Sequence, residues 1–169
     1  VLKDASPDEQ LSLLEGNLME TNQTIVDIYS RYLFETEVID TRADHAMSVD
    51  ELKDAMLRAQ EASYGDGLDP EIRHPYMWAC KSHYYSSGYN FYNFPYAFGE
   101  LFAKGVFAQY LQKGAAFVPD YCRLLRSCGS GTIADVAASV GIDVRNPDFW
   151  RSSLEVVKGN IDKFCELVK

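Results

Sequence analysis

Helical periodicity is the feature of this chain that most constrains its fold. After Pro7, apolar residues recur at the spacing of one helix face, at Leu11, Leu14, Leu18, Ile25, Ile28, Tyr29, Tyr32 and Leu33. This spacing predicts a helix from Pro7 to about Asp40. A polar patch, Thr21-Asn22-Gln23-Thr24, interrupts it; such a patch can face water or contact a buried polar neighbour, and we expect it to face water. No segment alternates convincingly as a half-buried strand does, so the chain is predicted to be all-α.

Start and stop signals divide the rest of the chain into further helices. Ser6 with Glu9, and Ser48 with Glu51, have the spacing of a capping box, in which the two side chains satisfy each other's backbone N–H groups. Similar signals predict helices over Val49 to about Tyr64, about Tyr92 to Gln112, Pro119 to about Ser127, Thr132 to Val140 and Pro147 to the C-terminus. We therefore expect about six to seven helices in a single domain, residues 1–169.

Three further expectations concern packing. Gly99 and Gly105 lower the propensity of their helix by ~1 kcal/mol each relative to alanine, so we expect both to allow close helix contacts. The last helix is expected to bury Phe149, Trp150, Leu154, Val157, Ile161 and Phe164. No CxxC pair is present, which indicates reduced core thiols in a cytoplasmic protein at Cys80, Cys122, Cys128 and Cys165.

The charge and hydropathy of the chain exclude two classes of partner. Lys and Arg number 16 against 25 Asp and Glu, which gives a net charge of −9. Nucleic acids and anionic membranes attract clustered basic residues instead. No apolar run approaches the ~20 residues that cross a bilayer. We therefore expect no nucleic-acid partner and no membrane partner.

The histidines do not form a metal-binding motif. His45, His74 and His83 are not spaced four apart, and none is followed by glutamate. They therefore cannot form HExxH, which places two imidazoles on one helix face with a carboxylate between them. The GxSxG motif of serine hydrolases is also absent. We expect no metal site within this chain.

The stretch from Lys81 to Glu100 carries the strongest functional signal. Its first 16 residues hold one histidine, His83, and five tyrosines around a Ser-Ser-Gly break. Neutral imidazole and phenol groups donate hydrogen bonds at pH 7. Several such donors directed at one point in a cleft can stabilise a developing oxyanion. Core packing explains the phenylalanines here, but it explains the tyrosines less well, because each buried hydroxyl needs a partner.

The segment HPYMWACKSHYYSSGYNFYNFPYAFGELFAKG resembles the C-terminal signature of oligoendopeptidase F, a bacterial relative of thimet oligopeptidase. Three further segments resemble that family and follow one another in the same order as in the family. They are QTIVDIYSRYLFETEV, AQEASYGDGLDPEIRHPYMWA and VGIDVRNPDFWRSSLEVVKGNIDKF. The resemblance implies a mostly helical zinc metallopeptidase that cuts short, unstructured peptides in the cytoplasm. Its zinc ligands, two histidines of HExxH and a glutamate on the next helix, would precede Val1. The resemblance therefore implies a C-terminal segment of the catalytic domain, inactive alone, with zinc only in the intact protein.

The same resemblance assigns roles to residues of the Lys81–Glu100 stretch. In that family a histidine and two tyrosines seven residues apart approach the scissile carbonyl. The resemblance identifies His83 with the histidine, and Tyr89 and Tyr96 with the two tyrosines. One additional residue between His83 and Tyr89 relative to thimet-type relatives makes Tyr92 a competing candidate. Tyr92 and Gly88 are expected to contact substrate, and Ser86-Ser87-Gly88 is expected to be the hinge that lets the donors close.

The expected partners follow from the same family resemblance. They are short peptide substrates and the N-terminal portion of the intact protein, and apolar surface left uncovered by its absence is expected to favour self-association. The alternative is a non-catalytic helical module that binds a peptide or a partner helix through the aromatic residues. An in-frame HExxH upstream of Val1 would favour the peptidase.

Overall fold

The computed structural model describes residues 4–169, and these residues form helices and no strand. About three quarters of the chain, 75%, is helical, so the all-α prediction is confirmed. The α-helices are α1 (Pro7–Asn22), α2 (Ile28–Arg42), α3 (Val49–Tyr64), α4 (Phe94–Lys113), α5 (Val118–Arg126), α6 (Ile133–Ala138) and α7 (Pro147–Leu167). A π-helical segment (Gln23–Asp27) and four 3₁₀ turns (Gly65–Gly67, Met77–Cys80, Ser82–Tyr85 and Gly114–Phe117) connect them.

The predicted helix caps are present. At the start of α3 the Ser48 backbone N–H donates to the Glu51 carboxylate over 2.7 Å, and the Glu51 N–H donates to the Ser48 hydroxyl over 3.3 Å. Ser6 and Glu9 make the same reciprocal pair before α1. Asn146 caps α7 through a 2.9 Å bond from the Asp148 N–H. Local signals therefore suffice to begin these helices where the sequence predicts.

The predicted long helix from Pro7 continues through the π-helical segment into α2. The segment overlaps the polar patch, and the patch does not face water uniformly: Asn22 and Gln23 are exposed, but Thr21 is buried. An extra residue in a helical turn rotates all later residues by ~100°, because an α-helix has 3.6 residues per turn. Of the residues that share the predicted helical spacing, Leu14 and Ile28 are buried, whereas Tyr29 and Tyr32 are exposed.

The chain divides into two compact units, and the division falls within α1 and α4. The first unit contains the described residues up to Leu18 together with Gly99–Lys169. Its core consists of Val106, Phe117, Leu124, Ala137, Val140, Ile142 and Phe149. The second unit contains Met19–Phe98, and its core consists of Phe34, Ala55, Met56 and Ala59. The assignment of one domain to residues 1–169 stays a prediction.

Only one of the two glycines on α4 allows a close contact. A Cβ added to Gly105 would lie 2.5 Å from the Phe149 ring and 2.7 Å from the Ser153 hydroxyl, so the absent side chain lets α7 approach α4 here. A Cβ added to Gly99 would meet nothing within 4 Å. The prediction is confirmed for Gly105 and wrong for Gly99, because helical spacing alone does not tell which face has a neighbour.

Two further packing expectations are corrected. Leu154 and Ile161 on α7 are exposed, although Phe149 is buried as predicted. All four cysteines are free and exposed, so they are not core thiols. In both cases residue type predicted an interior place, whereas burial depends on which neighbouring elements cover the position. Along the described part of the chain, no helix combines the length and the apolar character needed to cross a membrane.

The two glycines of α4 provide a matched test of this packing. We expect Gly105→Ala to lower the free energy of unfolding by about 1–3 kcal/mol, because the new methyl group overlaps the Phe149 ring. Gly99→Ala has open space and should instead raise it by up to ~1 kcal/mol through helix propensity. Urea unfolding of both variants measures the difference. Equal effects of the two substitutions would contradict the close approach at Gly105.

The Ser48–Glu51 box gives an expected pH dependence. Hydrogen bonds from Ser48, followed by the contact with His45, lower the pKa of Glu51 from 4.5 to about 2. Because the folded pKa is the lower one, the stabilisation is complete above pH 4.5 and is lost as the pH falls through about 2. We expect the stability of the wild type to approach that of Glu51→Gln over this window. Urea unfolding at several pH values measures it, and a pH-independent difference would contradict it.

Candidate active site

His83, Tyr89, Tyr92 and Tyr96 lie together in the second unit, and we call them the His83 cluster. The His83 ring is 5.8 Å from Tyr92, 6.2 Å from Tyr89 and 6.3 Å from Tyr96 between centroids. It stacks on Tyr92 at 15° and meets the other two rings edge to face. The Tyr92 ring is also 5.0 Å from Tyr89 and 5.9 Å from Tyr96. All the donor candidates from the sequence are therefore neighbours.

The His83 cluster is exposed to solvent. Tyr89, Tyr92 and Tyr96 are 49%, 41% and 43% exposed, and His83 is half-buried. Within residues 4–169 their hydroxyl groups and the His83 ring nitrogens have no hydrogen-bond partner. Phenol and imidazole groups in this condition are available to bind a ligand. The exposure also distinguishes the cluster from an ordinary aromatic core, which would be covered.

Local turns bring the four residues together. His83 lies in the 3₁₀ turn Ser82–Tyr85, and Tyr96 lies in the first turn of α4. Between them, the Tyr89 N–H donates to the Ser86 carbonyl and the Tyr92 N–H donates to the Tyr89 carbonyl, both over 3.0 Å. These successive turns fold residues 86–93 back beside His83. Gly88 lies in this loop, and a Cβ added to it would meet nothing within 4 Å.

A buried carboxylate fixes the last of these turns. Glu35 of α2 accepts a 2.7 Å hydrogen bond from the Phe91 backbone N–H through one oxygen. Its other oxygen accepts a 2.7 Å bond from the side-chain amide of Asn93. Both Glu35 and Asn93 are buried. The two bonds flank Tyr92 in the sequence, so they hold the backbone on either side of the central ring of the cluster.

Phe91, between these anchors, has an unusual backbone conformation. Its φ is +54°, a region that residues with a Cβ rarely occupy because of steric strain. Its ring is 5.9 Å from that of Tyr32, one of the two tyrosines exposed on α2. The Glu35 bond and this ring contact together hold Phe91 in place. We refer to residues 89–93 as the tyrosine turn.

Tyr84 anchors the chain beside His83 and is not part of the cluster. Its ring meets Phe34 edge to face at 5.3 Å, and its hydroxyl donates to the Arg31 carbonyl over 3.4 Å. Burial raises the pKa of Tyr84 above its usual range. Tyr85, by contrast, is exposed and makes no ring contact with the described residues. Of the five tyrosines in the sequence signal, three therefore form the cluster.

A second buried carboxylate, Asp27, lies at the end of the π-helical segment. It accepts hydrogen bonds from Gln23 over 2.5 Å and from the Tyr64 hydroxyl over 3.2 Å, and it pairs with Arg31. Burial, followed by the charge of Asp27, raises the pKa of Tyr64 to about 12. These bonds link the π-helical segment to α3. Sequence reasoning missed both Asp27 and Glu35; the signal available was a carboxylate beside the apolar residues Ile28 and Phe34.

The other two histidines are used elsewhere. The His45 ring pairs with Glu51 over 2.8 Å. His74 exchanges backbone bonds with the Gln60 side chain over 2.9 and 3.1 Å, and its Nδ1 accepts the Tyr76 N–H. Across residues 4–169, no three His, Cys, Asp or Glu side chains lie close enough together to hold a metal ion. Neither His45 nor His74 therefore belongs to the His83 cluster.

The comparisons with known proteins give one related sequence. No protein-family model matches the chain, and no solved structure does. Oligopeptidase PepF of Bacillus subtilis (strain 168) is 27% identical over 105 residues, which is 62% of this chain. The matched region spans 15% of that protein's length. Part of the chain is thus similar to an oligopeptidase, and the similarity by itself specifies no activity.

The backbone of Phe91 gives a test of the tyrosine turn. Phe91→Gly and Phe91→Ala both remove the ring, but only glycine adopts positive φ without a steric cost. We expect Phe91→Gly to be more stable than Phe91→Ala by about 1 kcal/mol. Urea unfolding measures the difference. At an ordinary negative φ alanine would be the more stable of the two, so that order would contradict the observed turn.

Proposed function

We propose that this chain is the C-terminal part of a longer zinc-dependent metalloendopeptidase of the oligoendopeptidase F type, which hydrolyses short peptides. The observation that carries the proposal is the His83 cluster. An imidazole and three phenols from one loop gather with their polar groups unpaired and accessible. The partial similarity to an oligopeptidase also supports the proposal.

In this proposal His83, Tyr89 and Tyr96 donate hydrogen bonds to the scissile carbonyl oxygen as it gains negative charge. Tyr92 and Gly88 contact the bound peptide. A donor about 3 Å from a developing oxyanion stabilises the transition state more than the ground state, and removing one costs ~10²–10³ in rate. Both Tyr89 and Tyr96 approach the His83 ring edge to face, while Tyr92 stacks on it. All three tyrosines are thus neighbours of His83, and Tyr92 is the competing candidate for the donor role.

The zinc ion of the proposed enzyme would be held outside this chain. The described residues have no cluster of three possible ligands, so they do not fit a zinc ion of their own. In the longer protein zinc would supply an activated water and a Lewis acid. The residues of this chain would bind the peptide, orient its carbonyl group and donate hydrogen bonds to it. The isolated chain is accordingly proposed to be inactive.

The proposed partners are the peptide substrate and the remainder of the longer protein. Exposed apolar residues on α7, Leu154 and Ile161 among them, fit a surface that another segment covers, and alone they would favour self-association. Free thiols at all four cysteines fit the reducing cytoplasm, where we place the enzyme. No nucleic acid or membrane forms part of the proposal, in keeping with the acidic net charge of −9.

The test is Tyr96→Phe in the full-length protein that contains this chain, with Tyr85→Phe as the matched control. Phenylalanine keeps the ring contact with His83 and removes only the donor. We expect kcat for a short fluorogenic peptide to fall by ~10²–10³, with KM changed by no more than about threefold. Tyr85 lies outside the cluster, so its substitution should leave both constants unchanged.

Two results would contradict the proposal at different points. An unchanged kcat in Tyr96→Phe would remove Tyr96 from the donor role. Failure of the zinc-loaded full-length protein to cleave any short peptide, together with saturable peptide binding that Tyr96→Phe weakens, would favour the non-catalytic peptide-binding module instead.

A further inference from the structure

We infer that Glu35 is a positioning residue, which fixes the three-ring arrangement of the His83 cluster by holding the tyrosine turn. Glu35 acts through the backbone of residue 91 and the side chain of Asn93, to which its two oxygens are hydrogen-bonded. Its effect on the arrangement follows from the structure. Its effect on peptide hydrolysis rests on the proposed function.

The geometry of the contact supports a positioning role. Glu35 is only 7% exposed, and each of its oxygens accepts one 2.7 Å hydrogen bond from the turn. A buried carboxylate whose oxygens lacked such donors would be costly, so the turn and the carboxylate require each other. Residues 91 and 93 are on either side of Tyr92. The two bonds therefore restrict both the position and the direction of the Tyr92 side chain.

The strained backbone between the bonds makes this restraint necessary. Phe91 at a φ of +54° would relax to negative φ if nothing held it, because its Cβ is crowded in this region. Such strain persists only where the surrounding structure over-determines the conformation. Relaxation at residue 91 would turn the following peptide and move the Tyr92 ring off His83. The Tyr89 and Tyr96 rings would then lose their contacts with Tyr92.

The pair of Glu35 and Asn93 allows a rescue experiment in the full-length protein. Asn93→Asp alone places a second carboxylate 2.7 Å from the first and removes a donor. The double variant Glu35→Gln with Asn93→Asp exchanges the two groups and restores both bonds. In it the amide oxygen introduced on α2 accepts the Phe91 N–H, and the amide N–H₂ of the same side chain donates to the carboxylate introduced in the turn. Glu37→Gln is the matched control, since Glu37 is on the same helix and pairs with Arg58 instead.

Two measurements report on different links of the inference. The ¹⁹F NMR signal of 3-fluorotyrosine at position 92, assigned by its absence in Tyr92→Phe, reports on the ring environment without reference to activity. The kcat and KM for a short peptide report on catalysis. We expect Asn93→Asp to shift the Tyr92 signal and to lower kcat by about 10²-fold with little change in KM. The double variant should restore both, and Glu37→Gln should alter neither.

The contradictory outcomes are distinct. The inference fails if Asn93→Asp leaves the Tyr92 signal in place, or if the double variant restores folding stability but neither the signal nor kcat, since Glu35 would then be merely structural. If the signal shifts and recovers while the wild type cleaves no peptide, the positioning role stands and the proposed function fails. Should Asn93→Asp not fold, Asn93→Ala, which removes one bond without adding a charge, must still shift the Tyr92 signal.

Discussion

The π-helical segment at Gln23–Asp27 is the constraint on which the second unit depends. One extra residue in the turn changes the phase of everything after it in the same continuous helix. On α2, which follows this turn, Phe34 and Glu35 are buried, and Tyr29 and Tyr32 are exposed. The wide turn is stabilised where it ends, because the Asp27 carboxylate accepts bonds from neighbouring side chains and reaches Tyr64 on α3. A regular helix would present a different face to the rest of the unit.

Helix α2 carries a buried carboxylate, Glu35, at a position where a core would usually have an apolar side chain. Burial of Glu35 is tolerable because both oxygens are matched by donors from a segment more than fifty residues later in the chain. The same match holds Phe91 in a strained backbone conformation and so determines where Tyr92 lies. The hydrogen bonds of Glu35 thus contribute to the stability of the second unit and also fix the arrangement of the candidate site. They link packing to the proposed chemistry.

The arrangement of the His83 cluster limits what this chain can do by itself. Imidazole and phenol groups bind and stabilise an oxygen that gains charge, but they do not supply a water nucleophile as a metal ion does. The proposed function accordingly assigns hydrogen-bond donation to this chain and the metal ion to the rest of the longer protein. The partial similarity to an oligopeptidase agrees with a component of this kind.

The sequence by itself determined the helical class and the capping boxes at Ser6 and Ser48, because helix propensity, capping and turn chemistry act over a few neighbouring residues. It did not determine the phase of α2, the contact at Gly105 rather than Gly99, the exposure of the cysteines or the role of Glu35. Those features depend on which distant segments cover a position and which donors they bring to it. Desolvation and hydrogen bonding across large sequence separations exist only once the tertiary structure has formed, and so only that structure decided them.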